Sequence, residues 1–485
     1  MGRYLNSSTS YVLYKGQTEQ SYFVDKSQML SELFPFLDSG NTHICITRPR
    51  RFGKTVMANM ITAFLGKKQD SDSIFKSLKI SQNDLYNKYR NQYNVISIDF
   101  SKMPRDCDSY TDYIDRIETN LIRDLRKEYP QIEIYEDDSA ADVLETIFEE
   151  CDQQRFVFVL DEWDFIFHKD FVTEENKKQY VLFLSNLLKD RSYVQLTYMT
   201  GILPIAKYSS GSELNMFWEY TMASEAKYNE YFGFTDSEVD QLYEKYTRNT
   251  REIYISREDL KEWYDGYTTK SGERMYNPRS VVLALTNNNI GNYWTSSGPY
   301  DEIFYYIRQN IDDVQNDLAL MISGEAVTAK IQEYAAVSMN LTTKNEIFSA
   351  MIVYGFLSYE NGEVRIPNKE LMEKFDEMLQ KEESLGYIYR LAKESDQMLK
   401  ATLANDTKTM EKILSYVHDT ETPILSYNHE TELSAIVNLA YLSARDQYHI
   451  EREDKAGKGF VDFIFYPYDR TTDGVILELK VDKTP

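Results

Sequence analysis

Short apolar runs alternate with longer amphipathic stretches over the first 200 residues of the chain. The runs cover residues 43–49, 94–100, 156–160 and 193–201. Between the first two, residues 54–66 repeat apolar side chains at the spacing of one helical face. The third run is apolar at every position, which is typical of a strand in a parallel sheet covered on both faces. The pattern therefore predicts an α/β domain with a parallel sheet.

Gly53, Lys54 and Thr55 lie between the first predicted strand and the helix that follows it. Backbone N–H groups and the helix dipole bind phosphate at such a junction. The full phosphate-loop pattern, G-x-x-x-x-G-K-[ST], requires a glycine at position 48, where this chain has Arg48. Because a bare G-K-T recurs by chance, a phosphate site here requires a metal ligand and a base elsewhere in the chain.

An acidic pair, Asp161 and Glu162, follows the fully apolar run directly. It lies at the carboxyl end of a predicted strand, where open α/β sheets bind ligands. The sequence predicts that Asp161, together with Thr55, holds Mg²⁺, and that Glu162 orients or deprotonates the attacking water. An isolated acidic pair after a strand is also typical of a solvated turn. The preceding G-K-T favours the functional interpretation.

The run 193–201 ends in the polar residues Thr200 and Gly201. In ATPases whose Walker B strand carries an acidic pair, this strand inserts between the two motif strands and presents a polar sensor to the γ-phosphate. Thr200 is the candidate sensor. A threonine that merely ends a strand is the alternative.

Several segments of the chain resemble, in order and spacing, those of the bacterial AAA-ATPase-like family. The resemblance covers nearly the whole chain and rests on YFVDKSQML, CITRPRRFGKT, VLDEWDFIF, YMTGILPIAKY, LNMFWEYTM, YFGFT, WYDGY and YNPRSV. In that family R-P-R-R-F-G-K-[ST] is the usual loop, so the missing first glycine is typical. The resemblance implies an ATP site formed by Arg48, Pro49, Arg50, Arg51, Phe52, Gly53, Lys54 and Thr55.

The loop residues have physical roles that fit this implication. Pro49 can fix the turn that a glycine would otherwise permit. Arg50 and Arg51 add positive charge near the phosphates. The alternative for both arginines is a solvent, DNA or partner surface. Arg279 is a further candidate, which would approach the nucleotide in trans.

The middle of the chain is predicted to be helical, with Thr235 and Asp236 as candidates for a helix start. A turn hairpin is expected around Ser271–Gly272. Residues 342–375 read as a helix followed by two strands around Asn361–Gly362, a strong hairpin signal. This order suggests a winged-helix-like module. It carries few basic residues, which favours a structural or protein-contact role over DNA binding.

A second set of chemical residues lies near the C-terminus. Asp462 is near the start of the predicted strand GFVDFIFYP, and Glu478 and Lys480 are two positions apart on GVILELK. An acid on one strand and E-x-K on the next is the metal-nuclease pattern. Asp462 and Glu478 would hold Mg²⁺ or Mn²⁺, and Lys480 would polarise the water or stabilise the charged transition state. The family resemblance adds Glu430, with Glu432 as the alternative.

The resemblance implies a C-terminal PD-(D/E)XK nuclease-like domain after the ATPase. The predicted domains are an AAA-like P-loop ATPase domain at 10–232, a helical and winged-helix-like region at 233–375, and an α/β nuclease-like domain at 376–485. The family's usual Ala before the aspartate is Val461 here. The sequence ends five residues after Lys480, so it predicts either a truncated chain or an incomplete nuclease domain.

Composition and charge limit the classes of protein to which the chain can belong. The 485 residues suffice for about three domains at roughly 150 residues each. A net charge of −24 excludes a protein that coats nucleic acid generally, because neutralising phosphates needs clustered Lys and Arg. Three scattered cysteines form no C-x-x-C pair, which favours a reducing cytoplasm. The sequence shows no signal peptide and no run of about 18 apolar residues, so no membrane contact is expected.

Together these features predict an ATP-binding and ATP-hydrolysing protein of the bacterial cytoplasm, with a fused metal-dependent nuclease-like domain acting on DNA or RNA. The expected cofactors are ATP and Mg²⁺, with Mn²⁺ as the alternative at the nuclease-like site. The rival hypothesis is a nucleotide-dependent protein-interaction switch with a vestigial nuclease fold. A protein partner or a second copy of the chain fits either reading.

Overall fold

The described part of the chain divides into two compact units in the computed structural model. The first unit contains the described residues up to Trp294 together with Val353–Gly355, and the second contains the other described residues beyond Trp294. The structure describes residues 2–103, 107–205, 212–223, 225–294, 311–331, 343–381, 383–385, 387–419, 430–456, 459–469 and 471–479.

A five-stranded parallel sheet forms the centre of the first unit. Its strands are β1 (Thr42–Thr47), β2 (Asn94–Asp99), β3 (Phe156–Asp161), β4 (Val194–Gly201) and β5 (Phe217–Tyr220). Their order in the sheet is β2-β3-β4-β1-β5. The predicted α/β class, the parallel sheet and the insertion of β4 between β1 and β3 are confirmed. The edge strand β5 was not expected from the sequence.

Both faces of this sheet are buried, which explains the uninterrupted apolar run of β3. Phe156, Phe158 and Leu160 join one hydrophobic core, whereas Val157 and Val159 join the core on the opposite face. Successive side chains of a strand point to opposite faces, so a strand covered on both sides must be apolar throughout. Burial on both faces leaves the strand ends as the place for polar chemistry.

The first unit also contains helices, which lie before, between and after these strands in the sequence. They are α1 (Thr9–Thr18), α2 (Met29–Ser39), α3 (Lys54–Leu65), α4 (Asp72–Phe75), α5 (Tyr86–Tyr89), α6 (Tyr110–Glu128), α7 (Ala140–Glu150), α8 (Glu174–Leu188), α9 (Asp236–Asn249), α10 (Arg257–Tyr264) and α11 (Pro278–Asn287). Thr235 caps α9 through a capping box with Glu238, so the predicted helix start is confirmed. The expected hairpin around Ser271–Gly272 is present as the strands β6 (Tyr267–Thr268) and β7 (Arg274–Met275).

Beyond Trp294 the described residues form helices and two small sheets. The helices are α12 (Ile311–Ile322), α13 (Lys344–Tyr354), α14 (Lys369–Leu379), α15 (Tyr387–Leu403), α16 (Thr407–Asp419) and α17 (Glu430–Ala440). The strands are β8 (Val327–Thr328), β9 (Ser358–Glu360), β10 (Glu363–Arg365), β11 (Tyr448–Ala456), β12 (Gly459–Pro467) and β13 (Val475–Leu477).

The strand orders in these two sheets are β8-β10-β9 and β11-β12-β13. The predicted hairpin at Asn361–Gly362 is confirmed, since both residues have positive φ and β9 pairs antiparallel with β10. Across all of these described segments, no helix combines the length and the apolar composition needed to cross a membrane.

Candidate functional site

The loop between β1 and α3 ends in a glycine with a left-handed backbone. Gly53 caps α3 with φ 93°, and a Cβ added to it would meet no atom within 4 Å. Glycine is therefore required by the backbone conformation and not by lack of space. Arg51 also has a positive φ, of 70°. The first turn of α3 leaves N–H groups without helical partners, which suits an anion.

Lys54 is buried within the curve of this loop. Its Nζ donates to the carbonyl oxygens of Arg48 and Pro49, each at 3.1 Å. The side chain is only 4% exposed. The ammonium group is therefore held inside the loop by main-chain acceptors.

Thr55 lies 106 positions before Asp161 in the sequence, yet its hydroxyl is close enough to lower the pKa of the Asp161 carboxyl. Thr55 lies in the first turn of α3, and Asp161 is the buried last residue of β3. The pKa of Asp161 is raised to about 7, chiefly by burial and then by the nearby carboxylates of Glu162 and Asp99, whereas Thr55 and Lys54 oppose the rise. Added positive charge at this point would favour the ionised carboxylate.

Asp99 is a site residue that sequence reasoning missed. It ends β2 and lies opposite Asp161 in the strand register. Its carboxylate accepts hydrogen bonds from Ser101 N and Oγ, at 3.0 and 2.6 Å. The signal was present in the sequence, since a second apolar strand also ends in an aspartate.

Glu162 has a left-handed backbone, with φ 53°. Such a conformation is unusual for a residue other than glycine and is concentrated at functional sites. Hydrogen bonds on both sides hold it, from Trp163 N to Thr200 O at 3.2 Å and from Phe165 N to Glu162 O at 3.0 Å. The half-buried Glu162 is thereby held at the tip of β3, next to Asp161.

Trp163 and Asp164 connect the end of β3 to the end of β4 through hydrogen bonds, a role that the sequence did not indicate. Trp163 Nε1 donates to Leu203 O at 3.1 Å, and Asp164 Oδ2 accepts from Ile202 N and Leu203 N at 3.1 and 2.8 Å. A Cβ on Gly201 would lie 2.4 Å from Asp164 Oδ1 and 2.5 Å from Trp163 Cδ1. The close approach therefore explains the glycine.

Thr200 lies between the two motif strands, opposite Asp161 on one side and Ile46 on the other. It is fully buried, and its hydroxyl donates to Ile46 O at 2.8 Å. The hydroxyl proton is thus used within the sheet, which leaves the oxygen as an acceptor. The sensor role of Thr200 stays a prediction.

Arg48, which replaces the expected glycine, is fully buried. Its guanidinium donates to Thr47 O and Tyr220 O at 2.7 and 2.9 Å, and to Asn229 Oδ1 at 2.7 Å. It also lies 4.9 Å from the centre of the Phe232 ring. Burial lowers the pKa of Arg48 to about 9. The guanidinium of Arg48, a residue of the predicted ATP site, is therefore bound to protein acceptors.

The other loop arginines have a different environment. Burial lowers the pKa of Arg51, the positive charges of Arg279 and Arg50 lower it further, and Glu162 raises it. Arg279 belongs to the first turn of α11 in the same chain. The structure thus brings Arg279 to the loop in cis, whereas an approach in trans was predicted.

A known protein family matches the part of the chain that contains this candidate site. Residues 14–210 match the family described as Predicted AAA-ATPase. A protein of Azotobacter chroococcum mcd 1, described as "Uncharacterized protein in vnfD 5'region", is 24% identical over 284 residues, which are 57% of this chain and 51% of the relative. The chain thus spans about half the length of this curated relative.

Three solved structures share low sequence identity with the chain. The Walker-type ATPase PABY2304 of Pyrococcus abyssi is 12% identical and has a TM-score of 0.40, covering 72% of this chain and 95% of its own. The Aeropyrum pernix ORC2 protein, in ADPNP-ADP complexes, is 11% identical with a TM-score of 0.36, covering 73% and 93%. The STAND protein PH0952 of Pyrococcus horikoshii is 13% identical with a TM-score of 0.25, covering 88% and 50%.

The C-terminal carboxylates lie outside the range of the AAA-ATPase family match. The pairing of Phe463 with Leu477 places Asp462 beside Glu478. The predicted strand through Lys480 is wrong in extent, because β13 ends at Leu477. Leu479 N donates to Asp462 Oδ2 at 2.5 Å, so a side chain and not the neighbouring main chain accepts this N–H.

Lys480 lies outside the described residues, and so does the side chain of Glu430, although its backbone opens α17. Among the side chains that the structure does describe, no group of three or more His, Cys, Asp or Glu is placed to hold a metal ion.

Proposed function

We propose that the AAA-ATPase-like region binds ATP with Mg²⁺ at residues 48–55 and hydrolyses it. The observation that carries this proposal is the buried ammonium group of Lys54, which is held by the carbonyl oxygens of Arg48 and Pro49 at the start of α3. The Thr55 hydroxyl and the Asp161 carboxyl, which a phosphate-loop ATPase uses around its metal, interact beside this amine. Asp99 and Glu162 add negative charge next to the same point.

The donor set fits Mg²⁺ better than a cation held by protein alone. In phosphate sites Mg²⁺ is bound by one or two carboxylates together with substrate oxygens and water, so a cluster of three acids is not needed. Thr55 and Asp161 are the residues that would hold it. When bound, Mg²⁺ supplies positive charge that offsets the charge of the transferred phosphoryl group.

The remaining roles follow from position. Lys54 would exchange its two loop carbonyls for phosphate oxygens. Glu162, held by hydrogen bonds at the tip of β3, would accept the proton of the attacking water or orient it. Arg51 and Arg279 would contribute positive charge at the same side of the loop. Thr200 Oγ1, whose proton is donated to Ile46 O, would accept a hydrogen bond from a water and orient it.

Lys54→Ala should weaken ATP binding about 10- to 100-fold, because a charge-assisted contact with phosphate is lost. Isothermal titration calorimetry with ATP and Mg²⁺ measures the effect. Lys67→Ala is the matched control, since it removes the same charge just beyond the other end of α3. The absence of ATP binding by the wild-type protein at millimolar ligand would overturn the proposed function.

A second proposal is metal-dependent phosphodiester cleavage of DNA or RNA by the C-terminal region. The adjacent positions of Asp462 and Glu478 support it, because two close carboxylates repel unless a divalent cation lies between them. Glu430 and Lys480 would complete the set. The alternative is a nucleotide-dependent switch in which this sheet binds a protein partner.

Asp462→Asn should abolish Mg²⁺- or Mn²⁺-dependent cleavage while the chain stays folded, because it removes a metal ligand and keeps the shape of the side chain. Cleavage of single- and double-stranded DNA and RNA is measured with and without ATP. Asp473→Asn, in the turn before β13, is the control. Equal cleavage by Asp462→Asn would place the active site elsewhere. No cleavage by the wild-type protein would favour the switch.

A further inference from the structure

Three alternate residues of the phosphate loop are held by the segment that follows β5 and by the helical region after it. These are Arg48, Arg50 and Phe52. We call the residues that hold them the loop clamp, and they are Asn229, Phe232, Gly233, Tyr267 and Trp294. All belong to the same compact unit as the loop.

The first contact of the clamp uses a side chain of the loop. Arg48 Nη2 donates to Asn229 Oδ1 at 2.7 Å, and the guanidinium packs on the ring of Phe232. Asn229 is in turn fixed by the main chain, since its Nδ2 donates to Glu225 O at 2.9 Å. The first residue of the loop is therefore anchored to a side chain that is itself anchored.

The second and third contacts use the main chain of the loop and one aromatic ring. Trp294 Nε1 donates to Arg50 O at 3.1 Å, and Gly233 N donates to Phe52 O at 3.2 Å. The Phe52 ring is buried and meets the Tyr267 ring edge-on, with 4.9 Å between centres. The directions of two loop carbonyls, those of Arg50 and Phe52, are thus set from outside the loop.

The clamped residues flank the left-handed residues of the loop. Arg51, with φ 70°, lies between Arg50 and Phe52, and Gly53, with φ 93°, follows Phe52 directly. Arg51 has a side chain, so its left-handed backbone is unfavourable unless its neighbours are held. The clamp holds them.

We propose that the clamp, and not a first glycine, sets the conformation of this phosphate loop, so that ATP affinity depends on docking of the helical region. The proposal rests on the proposed ATP site. It makes Trp294 and Asn229 positioning residues, because they act on the nucleotide through the loop and do not touch it. Bound nucleotide and the docked helical region then stabilise each other.

Trp294→Phe tests the proposal with a substitution that changes the packing little. It keeps an aromatic ring and removes the N–H that Arg50 O accepts. ATP affinity should fall about five- to tenfold, as expected for one lost hydrogen bond. The KM for ATP should rise by a similar factor while kcat stays nearly unchanged, because the reacting groups are untouched.

The matched control is Trp263→Phe, which makes the same change at a half-buried tryptophan beside Tyr264 in the same region. Addition of ATP should change the tryptophan fluorescence of this control as it does that of the wild type. The change should be smaller in Trp294→Phe. Equal weakening of ATP binding by the control would overturn the proposal, because a general loss of stability would then explain both results.

A second variant, Asn229→Ala, removes a separate contact of the clamp and covers the case in which Trp294→Phe does not fold. It should also weaken ATP binding. If either variant folds and binds ATP with wild-type affinity, the clamp proposal fails and the ATPase proposal stands. If the wild-type protein itself binds no ATP, the proposed function fails, and the clamp as a determinant of ATP affinity fails with it.

Discussion

Glu162→Gln should bind ATP as the wild type does and lose about 100-fold or more of its turnover, the usual contribution of a general base. The substitution keeps the shape of the side chain and removes only its ability to take a proton. It leaves Asp161 and Thr55 in place, so metal and phosphate contacts persist. Phosphate release under saturating ATP, with affinity measured by calorimetry, separates the two effects.

Asp99→Asn serves as the control for charge in this variant. It removes a carboxylate that also lies beside Asp161, but one whose oxygen is already used by Ser101. Its turnover should stay within about tenfold of the wild type, well short of the loss expected for a base. Equal turnover by Glu162→Gln and the wild type would show that another group activates the water.

Arg48→Gly should destabilise the protein, although it restores the glycine of the ordinary phosphate-loop pattern. The change leaves Tyr220 O and Asn229 Oδ1 without the guanidinium and opens a cavity against Phe232. Unpaired buried acceptors and a cavity together lower the free energy of unfolding by about 2–4 kcal/mol. Urea denaturation without nucleotide measures this loss.

Two controls separate the causes. Arg50→Gly introduces the same loop glycine without removing the buried Arg48 guanidinium, so its unfolding free energy should change by less than about 1 kcal/mol. Arg48→Met fills much of the volume but donates no hydrogen bond, and should fall between Arg48→Gly and the wild type. If Arg48→Gly is as stable as the wild type and binds ATP more tightly, the loop does need its first glycine, and the clamp is not what shapes it.

Arg48 was predicted to belong to the ATP site because of its neighbours in the sequence. Arg48, Arg50 and Arg51 lie within four positions of the sequence, and three basic residues just before a G-K-T suggest one positive surface. The structure divides them, because the acceptors for Arg48 lie 172 and 181 positions away. Nothing local to the loop indicates that one of its arginines is buried.

The sequence by itself determined the features that depend on neighbouring residues. Apolar runs predicted the strands, and helical spacing after Gly53 predicted α3. Thr235 predicted a helix start, and Asn361–Gly362 predicted a hairpin. Each of these follows from backbone preference and periodicity, which act over a few residues. The acidic pair Asp161–Glu162 was likewise recognisable, because it stands where a strand ends.

The tertiary structure alone decided which distant groups meet. It brought Asp99 beside Asp161, folded Asp164 onto the end of β4, and carried Trp294 to Arg50, 244 positions earlier in the chain. Such contacts depend on how strands are ordered and helices packed, and a hydrogen bond between remote residues leaves no periodic trace in either segment. The sequence motif therefore indicated the candidate site residues, but it did not indicate the contacts that hold those residues in shape.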